Sequence, residues 1–196
     1  MVMNKMLLAA LLATSLAGCG PSSTEQEAPR PLDTSMQKPP VADPSQPVAS
    51  GNTPTAADIA AAAALNAQFD PARDPAADLE TAKVEAKRGG KRIVLNIGNA
   101  ACEPCKVLDD FIGGDAELRS FRDANYVWVK VNHDDANPNE AFLSQFTQIS
   151  TYPHLLVLDN EGKLLHSQVI DELAQGKGYD RKKFFAFLKE WAPAKT

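Results

Sequence analysis

Two cysteines two residues apart, in the stretch Cys102-Glu103-Pro104-Cys105-Lys106, are the residues of this sequence best suited to chemistry. The apolar run Ile93-Val94-Leu95-Asn96-Ile97 lies just ahead of them. A strand, a short loop and then two thiols opening a helix make a redox arrangement. A thiol in the first turn of a helix meets unpaired backbone N–H groups and the positive end of the dipole, which stabilise the thiolate and lower its pKa. The second thiol, one turn further in, is close enough to resolve a mixed disulfide. Pro104 has no N–H to leave unused, and its fixed φ suits a first helical turn. The same spacing also serves a metal or a structural bridge, so the rest of the chain has to decide.

A purely structural bridge is poorly served by this spacing, because so small a loop removes little entropy from the unfolded chain. A metal reading would join Cys102 and Cys105 to His133 or His154 to hold copper or zinc. No second CxxC or HxxxH spacing supports it. His133 reads more simply as an exposed loop residue and His166 as part of a hairpin strand. Asp134-Asp135 with Asn137 and Asn139 resembles a calcium loop, but its glycine and terminal glutamate are out of register.

The chain has 196 residues, 44% hydrophobic and 23% charged, with a net charge of -5. That fits one modest domain plus non-domain sequence, and the acidic balance argues against a nucleic-acid partner. Lys5 and the apolar residues 6–16 make a signal segment too short to anchor stably across a bilayer. It closes with Leu16-Ala17-Gly18-Cys19, which resembles a bacterial lipobox, with Cys19 the lipidated first residue of the mature protein. Removing residues 1–18 takes away Lys5 and no acid, so the net charge moves from -5 to -6. With Cys19 given to lipid, the three cysteines leave one pair, Cys102 and Cys105, in an oxidising compartment where a disulfide persists.

Residues 19–57 are dominated by Pro, Ser, Ala, Thr and Gln and cannot bury a core, so they are expected to form a disordered tether. Roughly 40 such residues give an r.m.s. span of about 35 Å and a full reach of about 140 Å. The domain is expected over 58–196. The Ala-rich stretch 58–69 reads as a marginal entrance helix with Asp58 as its cap. A second helix starts at Asp74 or Pro75 and runs to Lys87, with Leu79, Ala82, Val84 and Ala86 inward and Gly89-Gly90 ending it. A doubly buried strand follows over 91–97. The cysteine helix is expected over 103–111, with Val107, Leu108, Phe111 and Ile112 in the core and Gly113-Gly114 stopping it. Asp115 caps a further turn, and residues 126–131 form a strand. A helix over 139–148 then carries Phe142, Leu143 and Phe146 inward. Residues 155–158 and 163–170 pair as a hairpin around Asp159-Asn160-Glu161-Gly162. A loop at 175–178 leads to a last helix capped by Asp180, whose Phe184, Phe185, Phe187 and Trp191 read as core and whose Lys182-Lys183 read as a solvated face. The order is β-α-β-α-β-β-α after a leading helix, an α/β fold with a central mixed sheet flanked by helices.

Residues 74–192 resemble a thioredoxin-fold domain. The residues that carry the likeness are Cys102-Glu103-Pro104-Cys105-Lys106, the strand before them, and Tyr152-Pro153 ahead of a strand-turn-strand hairpin. The pattern is most similar to membrane-tethered, periplasmic thioredoxin-like proteins. The resemblance implies that Cys102 is the nucleophile and Cys105 resolves the mixed disulfide. It also implies that Pro153 is a cis-proline facing the cysteines, with Tyr152 presenting its backbone to the substrate. Two departures follow. Ala101 stands where the family usually places a Trp lid. Asn96 stands where a buried Asp usually helps deprotonate the resolving thiol, and an amide cannot act as a base.

Glu103 beside Cys102 disfavours the thiolate, which Lys106 partly offsets. Destabilising the reduced pair makes it more reducing. The expectation is therefore a lipid-anchored thiol-disulfide oxidoreductase of a bacterial cell envelope, on the reductase or isomerase side, with no cofactor beyond its cysteine pair. Its partners would be protein or small thiol and disulfide substrates, a membrane electron donor, and the membrane itself through lipid on Cys19. Gly20 after the lipidated Cys resembles outer-membrane sorting. The alternative is a non-catalytic thioredoxin-fold binding protein or copper chaperone.

Overall fold

A computed structural model describes residues 53–194; the signal segment, Cys19 and the tether up to residue 52 lie outside the described residues. The first helix, α1 (Ala56–Ala64), begins two residues before the expected 58. Thr55 is its cap and Asp58 takes the third helical position. The Asp58 N–H donates to Thr55 Oγ1 at 3.2 Å and the Thr55 N–H to Asp58 Oδ2 at 2.9 Å, a reciprocal capping box. The helix stops short of Phe69 because Leu65 turns into the core and its carbonyl accepts the Lys130 N–H at 2.8 Å.

Helix α2 (Pro75–Gly89) is bounded as its residues dictate, with Asp74 as cap, Pro75 at the first turn and Gly90 left-handed at φ 61°. Leu79, Ala82 and Ala86 are buried at helical spacing. Val84 falls two residues from each neighbour in that set, so the helical period carries it outward, and it is 57% exposed rather than inward.

The sheet comprises β1 (Arg92–Gly98), β2 (Tyr126–Asn132), β3 (His154–Leu158) and β4 (Leu164–Val169) in the order β2-β1-β3-β4. The β1–β2 pair is parallel and the β1–β3 and β3–β4 pairs are antiparallel. Strand β1 is central, and its alternation feeds two cores. Ile93, Leu95 and Ile97 join Val127, Val129, Val131, Leu156 and Leu158 under α2. Val94 joins Trp128, Leu155 and Val157 on the opposite face. That face is covered by α3 (Glu103–Gly114), α4 (Ala116–Asn125) and the last helix.

Helix α3 runs through Gly113-Gly114 instead of stopping at Phe111. Neither glycine has a positive φ. The stop is Asp115, whose Oδ1 accepts the N–H groups of Glu117 and Leu118 at 3.0 Å and so opens α4. Leu108 and Ile112 are fully buried, whereas Val107 and Phe111 are half-buried at the edge. The helix expected over 139–148 is a single turn, α5 (Glu140–Leu143), entered through a left-handed Asn139. Beyond it the β-branched Thr147, Ile149 and Thr151 disfavour helix, and Phe146 and Ile149 pack on the core from turns. The expected loop at 175–178 is the tip of a small hairpin between β5 (Ala174–Gln175) and β6 (Gly178–Tyr179). The chain closes with α6 (Arg181–Glu190), capped by Asp180 and burying Phe184, Phe187 and Leu188.

Candidate active site

The loop after β1 delivers the cysteines. Asn99 shapes it: its Oδ1 accepts the Ala101 N–H at 3.0 Å, and its Nδ2 donates to the His133 carbonyl at 2.8 Å. Cys102 then occupies the cap of α3, with its Sγ accepting the Cys105 N–H at 3.2 Å. The two cysteines are joined by a disulfide, with their Cα atoms 5.2 Å apart. Cys102 is half-buried, while Cys105 is completely buried. One sulfur is reachable and the other shielded.

Glu103, Pro104 and Lys106 lie on the exposed rim. The Glu103 carboxylate and Lys106 ammonium approach to 3.5 Å. The Pro104 carbonyl accepts the Tyr179 hydroxyl at 3.1 Å, so the β5–β6 hairpin holds the first turn of α3 in place. Burial, and then the negative charge of Asp171, push the Tyr179 phenol up to about 12.

Beneath the cysteines lies the end of β1. A β-carbon on Gly98 would come within 2.5 Å of Cys105 Sγ and 3.2 Å of the Phe69 ring, so only glycine allows this approach. The His133 N–H donates to the Gly98 carbonyl at 2.7 Å. The peptide bond between Tyr152 and Pro153 is cis. Ile97 pairs with His154, and one further step of that register sets Pro153 beside Gly98. Strand parity places Pro153 on the face of Leu155 and Val157, the one that α3 covers. The structure thus brings Cys102, Cys105 and Pro153 to one end of the sheet, with Asn96 on the same face.

Histidine positions differ from expectation. His133 is half-buried: its ring stacks on Tyr152 at 4.7 Å, and Nδ1 lies 2.6 Å from the Pro138 carbonyl. Parity turns His154 toward the face of Leu156 and Leu158, away from Cys105, with Nε2 2.8 Å from Ser167 Oγ. Among the described residues no group of three or more His, Cys, Asp or Glu is arranged to hold a metal. His166, in β4 as expected, stacks on Trp191 at 4.4 Å.

Several participants carry no isolated signal in the sequence. Lys130 sits across from Asn96 in the parallel register, and its Nζ binds Asp109 Oδ2 at 2.7 Å over the Phe69 ring. Tyr179 and Asn99 act through partners 75 and 34 residues distant. Gly98 alone had a legible sign, a side-chain-free residue closing an apolar strand before the cysteine loop.

This geometry is a thioredoxin-like fold, and residues 74–160 match the family model described as thioredoxin-like. The fold is shared with the disulphide isomerase from Xylella fastidiosa Temecula1, at TM-score 0.55 and 20% identity over 64% of this chain and 97% of that one. The oxidised DsbD C-terminal domain of Neisseria meningitidis matches at TM-score 0.46 and 17% identity, over 64% of this chain and 99% of its own. No curated protein sequence matches the chain.

Proposed function

We propose that this protein is a membrane-tethered thiol-disulfide oxidoreductase working on the reductase or isomerase side. The observation that carries the reading is the Cys102–Cys105 disulfide at the head of α3, one sulfur reachable and the other buried. In the reduced protein the Cys102 thiolate attacks a substrate disulfide, forming a mixed disulfide and releasing one substrate thiolate. The Cys105 sulfur then attacks Cys102 Sγ, closes the protein disulfide and releases the second substrate thiolate. Two electrons pass to the substrate, and a membrane dithiol donor returns the pair to its reduced form.

The substrate chain lies along the backbone of Tyr152 and Pro153. A cavity of about 430 Å³ lined by Asn99, His133, Glu140 and Tyr152 opens beside it. Lipid on Cys19 and the tether over 19–57 hold the domain at a bacterial envelope membrane, facing the periplasm, with the outer membrane favoured by Gly20. Among the described residues no helix is long and apolar enough to cross a membrane.

The test uses the full chain carrying Cys19→Ser, which leaves only the two site thiols. Its redox equilibrium against glutathione and dithiothreitol is read by thiol alkylation. A reversible pair near the thioredoxin value of about −270 mV is expected. A potential as oxidising as about −120 mV overturns the reductase-side assignment. A pair that never exchanges overturns the enzyme. Cys105→Ser is expected to trap mixed disulfides that Cys102→Ser does not.

A further inference from the structure

Asn96 is completely buried, and neither its Oδ1 nor its Nδ2 has a hydrogen-bond partner among the described residues. Buried amides are nearly always paired, so an amide with both ends free needs a physical account. Its position supplies one. Asn96 and Gly98 lie two residues apart on the same face of β1, their Cα atoms about 7 Å apart by strand geometry. The Cys105 sulfur sits on Gly98. The neighbouring polar groups are taken: Lys130, across the register from Asn96, is held by Asp109. On the other side of Asn96 the register partner is the apolar Leu155.

We propose that the Asn96 amide is the hydrogen-bond partner of the Cys105 sulfur once the disulfide opens, a bond made in the reduced state and absent in the oxidised one. The inference rests on the oxidoreductase reading above. A disulfide sulfur is a weak acceptor. A thiolate takes the Nδ2 hydrogen strongly, and a thiol donates to Oδ1. Either bond favours the reduced pair, so Asn96 works on Cys105 in the direction opposite to that of Glu103 on Cys102. It is a positioning residue: it gives the resolving sulfur a fixed place without exchanging a proton itself.

The redox step is the exchange of two glutathione thiols with the protein disulfide. The Cys102–Cys105 bond breaks, a glutathione disulfide forms, and two electrons and two protons end on the protein. The experiment compares Asn96→Thr with Asn96→Val in the full chain carrying Cys19→Ser. The two side chains have the same shape and differ by one hydroxyl, so any cavity cost is shared. Equilibrium with glutathione is read by alkylation, and the pH profile of Cys105 alkylation is recorded in parallel.

Asn96→Thr is expected to stay within about threefold of the parent. Asn96→Val is expected to be about tenfold harder to reduce, a shift of about 30 mV toward the reducing side, with its Cys105 profile displaced to higher pH. Equal potentials and equal profiles for the two variants overturn the proposal while leaving the oxidoreductase reading intact. A parent that does not exchange with glutathione overturns the oxidoreductase reading itself. Should Asn96→Val fail to fold, Asn96→Leu, which restores the volume, takes its place with the same expected shift.

Discussion

The Cys105 sulfur rests on the backbone of Gly98, so close that a β-carbon there would lie 2.5 Å from Sγ. Gly98→Ala must therefore displace the sulfur, the Phe69 ring, or both. Overpacking of this kind costs about 1–3 kcal/mol. We expect the loss to be larger in the oxidised protein, where the disulfide fixes Sγ, than in the reduced one, where the side chain can rotate away. Urea unfolding of the two redox forms measures this; equal losses would assign the clash to Phe69 alone.

Glu103 and Lys106 face each other at 3.5 Å on the exposed rim, where solvent weakens both charges. Removing the carboxylate relieves its repulsion of a Cys102 thiolate. Glu103→Gln is accordingly expected to make the pair easier to reduce, by less than tenfold in the glutathione equilibrium, with the difference shrinking as salt is added. A variant that becomes harder to reduce would refute the role given to Glu103.

Tyr179 gives the alkaline limb of stability a definite sign. Its phenol titrates near 10 in an unfolded chain and at about 12 in the fold, because burial penalises the phenolate. Between those values the folded protein holds the extra proton, so stability falls as pH rises from about 10 toward 12. Tyr126 adds to the same limb, its buried hydroxyl donating to the Leu188 carbonyl at 2.7 Å and its pKa raised by burial. Tyr179→Phe should reduce the alkaline slope and lower stability at neutral pH by about 1 kcal/mol through loss of the bond to Pro104. Denaturant midpoints across pH 8 to about 11 check both parts.

His154 contributes the part of the acid limb nearest neutral pH. Burial first, and then the charge of His166, hold its pKa below the ordinary 6.5. The unfolded chain therefore takes up a proton that the folded chain refuses. The stabilising difference is complete above about 6.5 and is lost as pH falls below that value. His154→Gln is expected to flatten the decline in urea midpoint between about pH 7 and 5. An unchanged decline would mean that other groups carry it.

Much of this architecture could be read from residue order because the relevant forces are local. Asp74-Pro75 and Asp180 announce helix starts, since a cap needs only a side-chain acceptor a few residues from its donors. The run Ile93-Val94-Leu95-Asn96-Ile97 of β1, apolar but for Asn96, announces a strand covered on both faces. The pairing of Cys102-Glu103-Pro104-Cys105 with Tyr152-Pro153 was enough to mark a thioredoxin-like fold and the end of the sheet to which the two cysteines and the cis-proline come. Tertiary contacts decided the rest. The helix expected over 139–148 shrank to one turn because Phe146 and Ile149 reach the core from turns. His133 is half-buried because its ring stacks on Tyr152, and His154 faced away from the thiols because sheet parity fixed its side. Gly98 under Cys105, Lys130 bound to Asp109, Tyr179 reaching Pro104 and Asn96 buried without a partner all depend on residues brought together across the fold. Such contacts are set by strand register and helix placement, which no local stretch of sequence encodes by itself.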